Sequence, residues 1–287
     1  MPNPMKTLLP LAAGLVLGTW FAKRLVPPQA RTLCPPAGQA GIRRQMEQLK
    51  REYEKQDRMR RDFTANVSHE LKTPLTSISG YAEIIREGMV KSEDVGRFAG
   101  KIYEEAQRLI TLVEDILNLS HLDEGAPGQE RRQGIDLYAL CERAVASLAE
   151  AARQRGIAIS LTGSRQRVDG AEKLLAEIIF NLCDNAIKYN QENGHVAVSV
   201  TREGDRVVLA VQDTGIGIPP GETDRVFERF YRVDKSHSKE IGGTGLGLSI
   251  VKHAAAYHDA KIQLDSQLGR GTRVRVLFPL SQKEAQP

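Results

Sequence analysis

Apolar positions along this chain follow a helical period first and a strand period later. Ile42, Met46, Leu49 and Tyr53 recur at spacings of 4, 3 and 4, a heptad seam that predicts a helix. Gln56 and Arg60 then fall on the seam while Met59 and Phe63 carry the apolar face sideways, a shift that can alter local winding. The face resumes with Phe63, Val67, Leu71, Ile78, Ile85 and Met89. A break is expected near 88–94. A second helix then runs to about Leu122, with Val95, Phe98, Ile102, Leu109, Val113, Ile116 and Leu119 on its stripe. Two long helices with a short connection predict an antiparallel hairpin. One hairpin leaves part of each stripe wet, and a four-helix bundle made by two copies covers it, so the pattern predicts a homodimer.

After a polar stretch at 123–135 the period changes. Helices are expected near 137–155 and 171–190, interleaved with strands at 157–161, 195–200, 206–212, 261–265 and 272–278. Val196, Val198 and Val200 alternate with polar residues, and so do Val274 and Val276. That is a sheet with one covered face, which predicts helices on one side only and an α/β two-layer sandwich. The residues after Leu280 are polar and are read as a tail.

The N-terminus carries an uncharged run from Thr7 to Ala22, bounded by Lys6 on one side and by Lys23 and Arg24 on the other. It falls somewhat short of the roughly 20 residues that span a bilayer. Flanking lysine and arginine can snorkel, and Trp20 and Phe21 stand where interfacial aromatics belong. Basic residues cluster after the run, which places the rest of the chain in the cytoplasm. The expectation is a single-pass anchor in the cell membrane, with a cleaved signal peptide as the rival. Pro27, Pro28, Pro35, Pro36, Gly38 and Gly41 then mark a linker. The resulting division is an anchor at 1–26, a linker at 27–41, a helical dimerisation domain at 42–122, a second linker at 123–135, an α/β domain at 136–281 and a tail at 282–287. Only about 40 residues separate the apolar run from His69, which leaves no room there for a sensing domain.

Composition adds little to this picture. With 41% hydrophobic and 26% charged residues the chain is an ordinary globular one. A net charge of +4 over 287 residues does not suggest nucleic acid, and direct nucleic-acid binding is not expected. The three cysteines, Cys34, Cys141 and Cys183, are spaced too widely for a metal knuckle or a redox pair.

Two constellations carry chemistry. The first is Ser68-His-Glu-Leu-Lys-Thr-Pro-Leu75, with His69 on an exposed part of the first helix and Pro74 removing a backbone donor and kinking the helix there. A zinc helix needs a second histidine one turn on, and that position is Thr73. The second lies in the α/β half. Asn181 and Asn185 share a helical face. Asp213-Thr-Gly215-Ile-Gly217 follows a strand, and Phe227 to Arg232 follows that. A glycine loop at Gly242–Gly247 opens a helix and presents N–H groups to anionic oxygens. It is neither a P-loop nor a dinucleotide fingerprint.

The first string resembles the phosphoacceptor box of sensor histidine kinases. The second set is similar to the ATPase superfamily shared by gyrase, the heat-shock chaperones, histidine kinases and mismatch-repair ATPases. An Asn box, an Asp-Gly box, a Phe box, a Gly-rich loop and a final Gly269-Arg-Gly271-Thr272 stand in that order. The resemblance covers about residues 60–280. It implies ATP-dependent phosphorylation of His69, with Glu70 as its base and Thr73 supporting dephosphorylation of a partner. It implies Mg²⁺ at Asn185 supported by Asn181, a phosphate at Lys188, and adenine covered by Tyr189 and read by Asp213. Gly215, Gly217, Arg232, Gly243, Thr244, Gly245, Leu246, Gly247, Leu248 and Thr272 complete the implied nucleotide site, and 233–241 is its lid. The implied partner is a response-regulator receiver domain, which takes the phosphoryl group onto an aspartate. The rivals are an ATP-driven clamp of the same superfamily, which would hydrolyse ATP without phosphorylating histidine, and an ATP-binding scaffold.

Overall fold

The computed structural model describes residues 39–123, 131–233 and 243–281. The expected anchor, most of the first linker, nearly all of the lid and the tail lie outside these residues. Among the described residues no helix is long and apolar enough to cross a membrane. The chain divides into two units, residues 1–62 and 63–287.

Helix α1, Gln39–Arg86, contains Pro74 without interruption. Within residues 1–62 the seam residues Met46, Leu49 and Tyr53 are all exposed. An ion pair from Arg61 to Asp57, one turn apart, supports the solvated face. Helix α2, Val95–Asp123, begins at the end of the expected break, where the Phe98 N–H bonds the Asp94 carbonyl at 3.2 Å. Tyr81 and Phe98 meet edge to face at 5.7 Å, joining the two helices beside their connection. Leu75, Ile110, Val113 and Leu117 stay exposed, so the hairpin keeps an unburied apolar stripe within this single chain.

The α/β part has strands β1 (Arg132–Asp136), β2 (Ala158–Gly163), β3 (Arg167–Gly170), β4 (His195–Glu203), β5 (Arg206–Asp213), β6 (Lys261–Gln267) and β7 (Gly271–Pro279). Its helices are α3 (Leu137–Gln154), α4 (Glu172–Lys188) and α5 (Gly247–Tyr257). Among the described residues five strands form one sheet in the order β2-β4-β5-β7-β6. β2 runs parallel to β4, and the remaining neighbours are antiparallel. The expected sandwich is present. Val196, Val198, Val200, Val207, Leu209, Val211, Val274, Val276 and Phe278 point into one core with the apolar faces of the three helices.

The polar stretch read as a linker contributes β1 at its end, paired antiparallel with β3, a strand absent from the sequence reading. Asp136 closes β1 and caps α3, its side chain accepting from the Ala139 N–H at 3.1 Å. The open face of the sheet is strapped by Arg275, which bonds Glu203 on β4 at 2.5 Å and Gln263 on β6 at 2.9 Å. Its register partner Ala210 on β5 is buried although it lies on that face.

A buried imidazole fixes the start of α4. His258 is fully buried, and its Nε2 accepts from the Ala171 N–H at 3.1 Å while Nδ1 donates to the Ala254 carbonyl at 2.6 Å. Ala171 has no capping side chain, so the histidine satisfies an otherwise orphaned donor. Gly170 is required beside it, because a Cβ there would lie 2.1 Å from the ring. Burial holds the His258 pKa below its ordinary 6.5, with Arg131 adding to that effect and Asp259 opposing it. A base with a depressed folded pKa contributes stability that is present above its unfolded pKa and is lost as pH falls through the folded one. The protein should therefore lose melting temperature as pH falls below about 6.5. His258→Gln, which keeps a neutral acceptor, should flatten that slope; equal slopes for the two proteins would remove His258 as its source.

Candidate functional site

The two asparagines of α4 face the first turn of α5. Gly247 opens α5 so close to α4 that a Cβ on it would sit 2.8 Å from Asn181 Oδ1 and 3.6 Å from Asn185 Nδ2. Asn181 is oriented by its own bond to the Glu177 carbonyl, 2.9 Å away. Lys188 ends the helix and pairs with Asp184 at 2.7 Å. The next residue, Tyr189, turns its carbonyl to the Ile216 N–H at 3.0 Å. Its hydroxyl approaches Gly243, where a Cβ would come within 2.9 Å of it.

Asp213 ends β5 and organises a second wall. Its Oδ1 accepts from the Gly215 N–H at 2.8 Å and the Thr272 N–H at 3.1 Å. Three glycines admit this close weave. A Cβ on Gly215 would lie 2.2 Å from the Tyr189 carbonyl. Gly217 and Gly271 have φ of 67° and 110°, where a side chain is strained as well as blocked. Ser266 on β6 locks the weave, accepting from the Ile218 N–H at 2.8 Å and bonding the Thr272 hydroxyl at 2.8 Å. Burial raises the Asp213 carboxyl pKa, and the two N–H groups only partly oppose it.

The third wall is the glycine loop. Gly245 has φ of 74° and accepts from the Phe230 N–H at 2.9 Å. Phe230 itself has φ of 61°, an unusual conformation for an aromatic residue, held against Gly245. The Leu246 side chain is buried in the core, and Leu248 packs partly buried against it. The Thr244 hydroxyl donates to Asp115 of α2 at 2.7 Å and accepts from the Leu246 N–H at 3.3 Å. Asp115 was not singled out by the sequence reading, where it is one polar residue within an apolar stripe.

The His69 segment of α1 meets this assembly at one polar contact. Arg232, nearly buried, bonds Glu70 Oε2 at 3.2 Å. Phe63 packs on Phe230 with ring centroids 5.7 Å apart, and Arg229 lies over the Phe63 ring. His69 is 75% exposed, and its Nδ1 stands 3.7 Å from Glu70 Oε1, beyond hydrogen-bond reach. The Thr73 hydroxyl is turned back to the His69 carbonyl at 3.2 Å. The structure therefore groups Asn181, Asn185 and Gly247; Tyr189, Gly215 and Gly243; Asp213, Gly215 and Thr272; and Arg232, Gly245 and Glu70. Among the described residues no group of these walls bonds the His69 ring.

The buried Asp213 carboxylate sets a testable balance. Its folded pKa is raised, so its contribution is full at low pH and is lost as pH rises through that pKa. Asp213→Asn keeps an oxygen for both N–H donors without the buried charge. The variant should melt at or above the wild-type temperature at pH 7, and the gap should close as pH falls into the acid range. A variant that melts well below wild type at pH 7 would contradict this.

Comparison with known proteins agrees with this geometry. Residues 59–125 match the His Kinase A (phospho-acceptor) domain family. Residues 170–282 match the family of histidine kinase-, DNA gyrase B- and HSP90-like ATPases. The chain is 41% identical over 229 residues to the sensor-like histidine kinase SenX3 of Mycolicibacterium smegmatis, covering 79% of this chain and 59% of that protein. It thus spans a little over half the length of this relative. The full-length ShkA structure in complex with AMPPNP is 27% identical with a TM-score of 0.56, over 77% of this chain and 46% of that one. The histidine kinase ThkA, solved with the response regulator protein TrrA, shares the fold at a TM-score of 0.62 and 22% identity, over 81% of this chain and 67% of that one. A phosphoacceptor hairpin followed by an ATPase domain, in a chain this similar to SenX3, makes the protein a member of the sensor histidine kinases.

Proposed function

We propose that the chain phosphorylates its own His69 from ATP and passes the phosphoryl group to an aspartate of a response-regulator receiver domain. The observation that carries this reading is the Arg232–Glu70 bond, which joins the implied phosphate side to the residue beside His69. In the proposed step a neutral His69 ring nitrogen attacks the γ-phosphorus while the bond to the β-phosphate oxygen breaks and ADP leaves. Glu70 takes the proton from the other ring nitrogen, closing the 3.7 Å gap as the reactants come together.

The nucleotide side offers what ATP needs. Asp213 Oδ1 is committed to two N–H groups, and its Oδ2 is the acceptor for the adenine amino group. Tyr189 covers the ring, and the N–H groups of 243–248 meet the phosphates at the start of α5. The amide oxygen of Asn185 is a hard donor, suited to Mg²⁺, with Asn181 supporting it, and the approach of Asn181 Oδ1 and Asn185 Nδ2 to Gly247 sets both side chains beside the phosphate loop. A bound Mg²⁺ would neutralise phosphate charge, with Lys188 and Arg232 sharing that role. The ShkA complex with an ATP analogue supports the nucleotide assignment, and the ThkA–TrrA complex supports the receiver partner. The exposed stripe of Leu75, Ile110, Val113 and Leu117 supports a homodimer through the hairpin. The uncharged run from Thr7 to Ala22 supports a single membrane anchor with the catalytic part in the cytoplasm.

Incubation with ATP labelled at the γ-position tests the reading. Wild-type protein should carry acid-labile, alkali-stable label, and His69→Gln should carry none. Asn185→Ala should lower the labelling rate by on the order of 100-fold. Label that survives in His69→Gln would place the acceptor elsewhere. In a separate assay Thr73→Ala should keep autophosphorylation and lose stimulated dephosphorylation of the receiver. Undiminished dephosphorylation would take that role from Thr73.

A further inference from the structure

Asp115 occupies a costly position. On α2 the residues Leu112, Leu119 and Leu122 are buried, with Ile116 partly buried beside them, and all pack into the core of the ATPase part. Asp115 lies three residues from Leu112 and four from Leu119, so it belongs to the same helical face. A carboxylate inside an apolar docking face must recover its lost hydration from the partners it finds there.

Those partners belong to the glycine loop and the Asn-box helix, the elements assigned above to the ATP phosphates. The Thr244 hydroxyl donates to Asp115 Oδ2 at 2.7 Å. Thr244 sits in the glycine loop, and its oxygen also accepts from the Leu246 N–H at the head of α5. Lys188 acts on Asp115 as a favourable charge from the Asn-box helix. An anion at this place therefore takes a hydroxyl donor of the loop that leads into α5, and it feels the charge of Lys188, which Asp184 shares at 2.7 Å. The hairpin carries a second acid in the same relation, because Glu70 bonds Arg232.

Resting on the nucleotide reading above, we infer that Asp115 is an autoinhibitory residue: docked on α2, its carboxylate competes with the phosphates of ATP for Thr244 and the head of α5. The contact is poised for release. Burial raises the Asp115 carboxyl pKa, opposed by the Thr244 hydroxyl and Lys188, while Asp184 and Glu114 add repulsion. The charged side chain thus recovers only part of its hydration, and phosphates that bring more negative charge to the same donors can displace it. Release of Asp115 weakens the seat of α2 on the ATPase part, so binding of ATP and freeing of the hairpin are linked.

The test measures binding of ATP and of adenosine to the full chain and to Asp115→Asn, which preserves shape and removes charge. Asp115→Ser serves the same purpose should the amide fail to fold. ATP should bind the neutral variant on the order of tenfold more tightly than wild type, as expected when a charged hydrogen bond no longer competes. Adenosine, which has no phosphate, should bind both proteins equally. ATP affinity that is unchanged or weaker in the variant overturns the inference, and so does an equal gain for adenosine. If neither protein binds ATP, the nucleotide reading falls and the inference falls with it; equal tight binding to both overturns the inference alone.

Discussion

Asp213 stands at the end of β5, and one of its oxygens holds two backbone N–H groups that come from different parts of the chain. One belongs to the turn that follows β5, the other to the first residues of β7. The turn can approach only because Gly215, Gly217 and Gly271 present no side chain. Ser266 then joins the same weave from β6. One loop and two strands are fixed together by one buried carboxylate and one hydroxyl, and the wall that faces Tyr189 takes its shape from them. The cost is a charge held away from water, repaid only in part by the two donors.

The hairpin and the sheet were legible in the sequence because their periods are local. A seam at spacings of 4 and 3 and alternating valines need no knowledge of the rest of the fold. The two glycine boxes were legible because backbone conformation fixes residue type there. What was missed depends on distant partners. β3 is four residues long and exists through its pairing with β1, which the sequence presents as a polar linker. His258 reads as one histidine at a helix end, and only the fold brings it beneath Ala171 and against Gly170. Leu246 and Leu248 were grouped with the ligand residues because they belong to the glycine loop, yet the Leu246 side chain is buried in the core and Leu248 packs partly buried against it. A motif names a segment and is blind to which of its side chains turn inward.

The hairpin and the ATPase part meet through an apolar seat interrupted by acids. Leu112, Leu119 and Leu122 supply the burial that favours docking. Asp115 and Glu70 supply direction, because each finds a specific donor on the other side. A purely apolar seat would tolerate sliding by a turn. Paired polar contacts at separate points, one on α1 and one on α2, fix a single register between the two parts.

The bond between the Phe230 N–H and the Gly245 carbonyl has a consequence for the segment it encloses. Both ends of residues 231–244 are fastened at a common base, with a strained phenylalanine on one side and a left-handed glycine on the other. Closing a loop on a fixed base costs little more when the loop is lengthened, about 0.6 kcal/mol for each doubling. The base therefore tolerates a change in the length of chain between its two ends, while Phe230 and Gly245 keep their places.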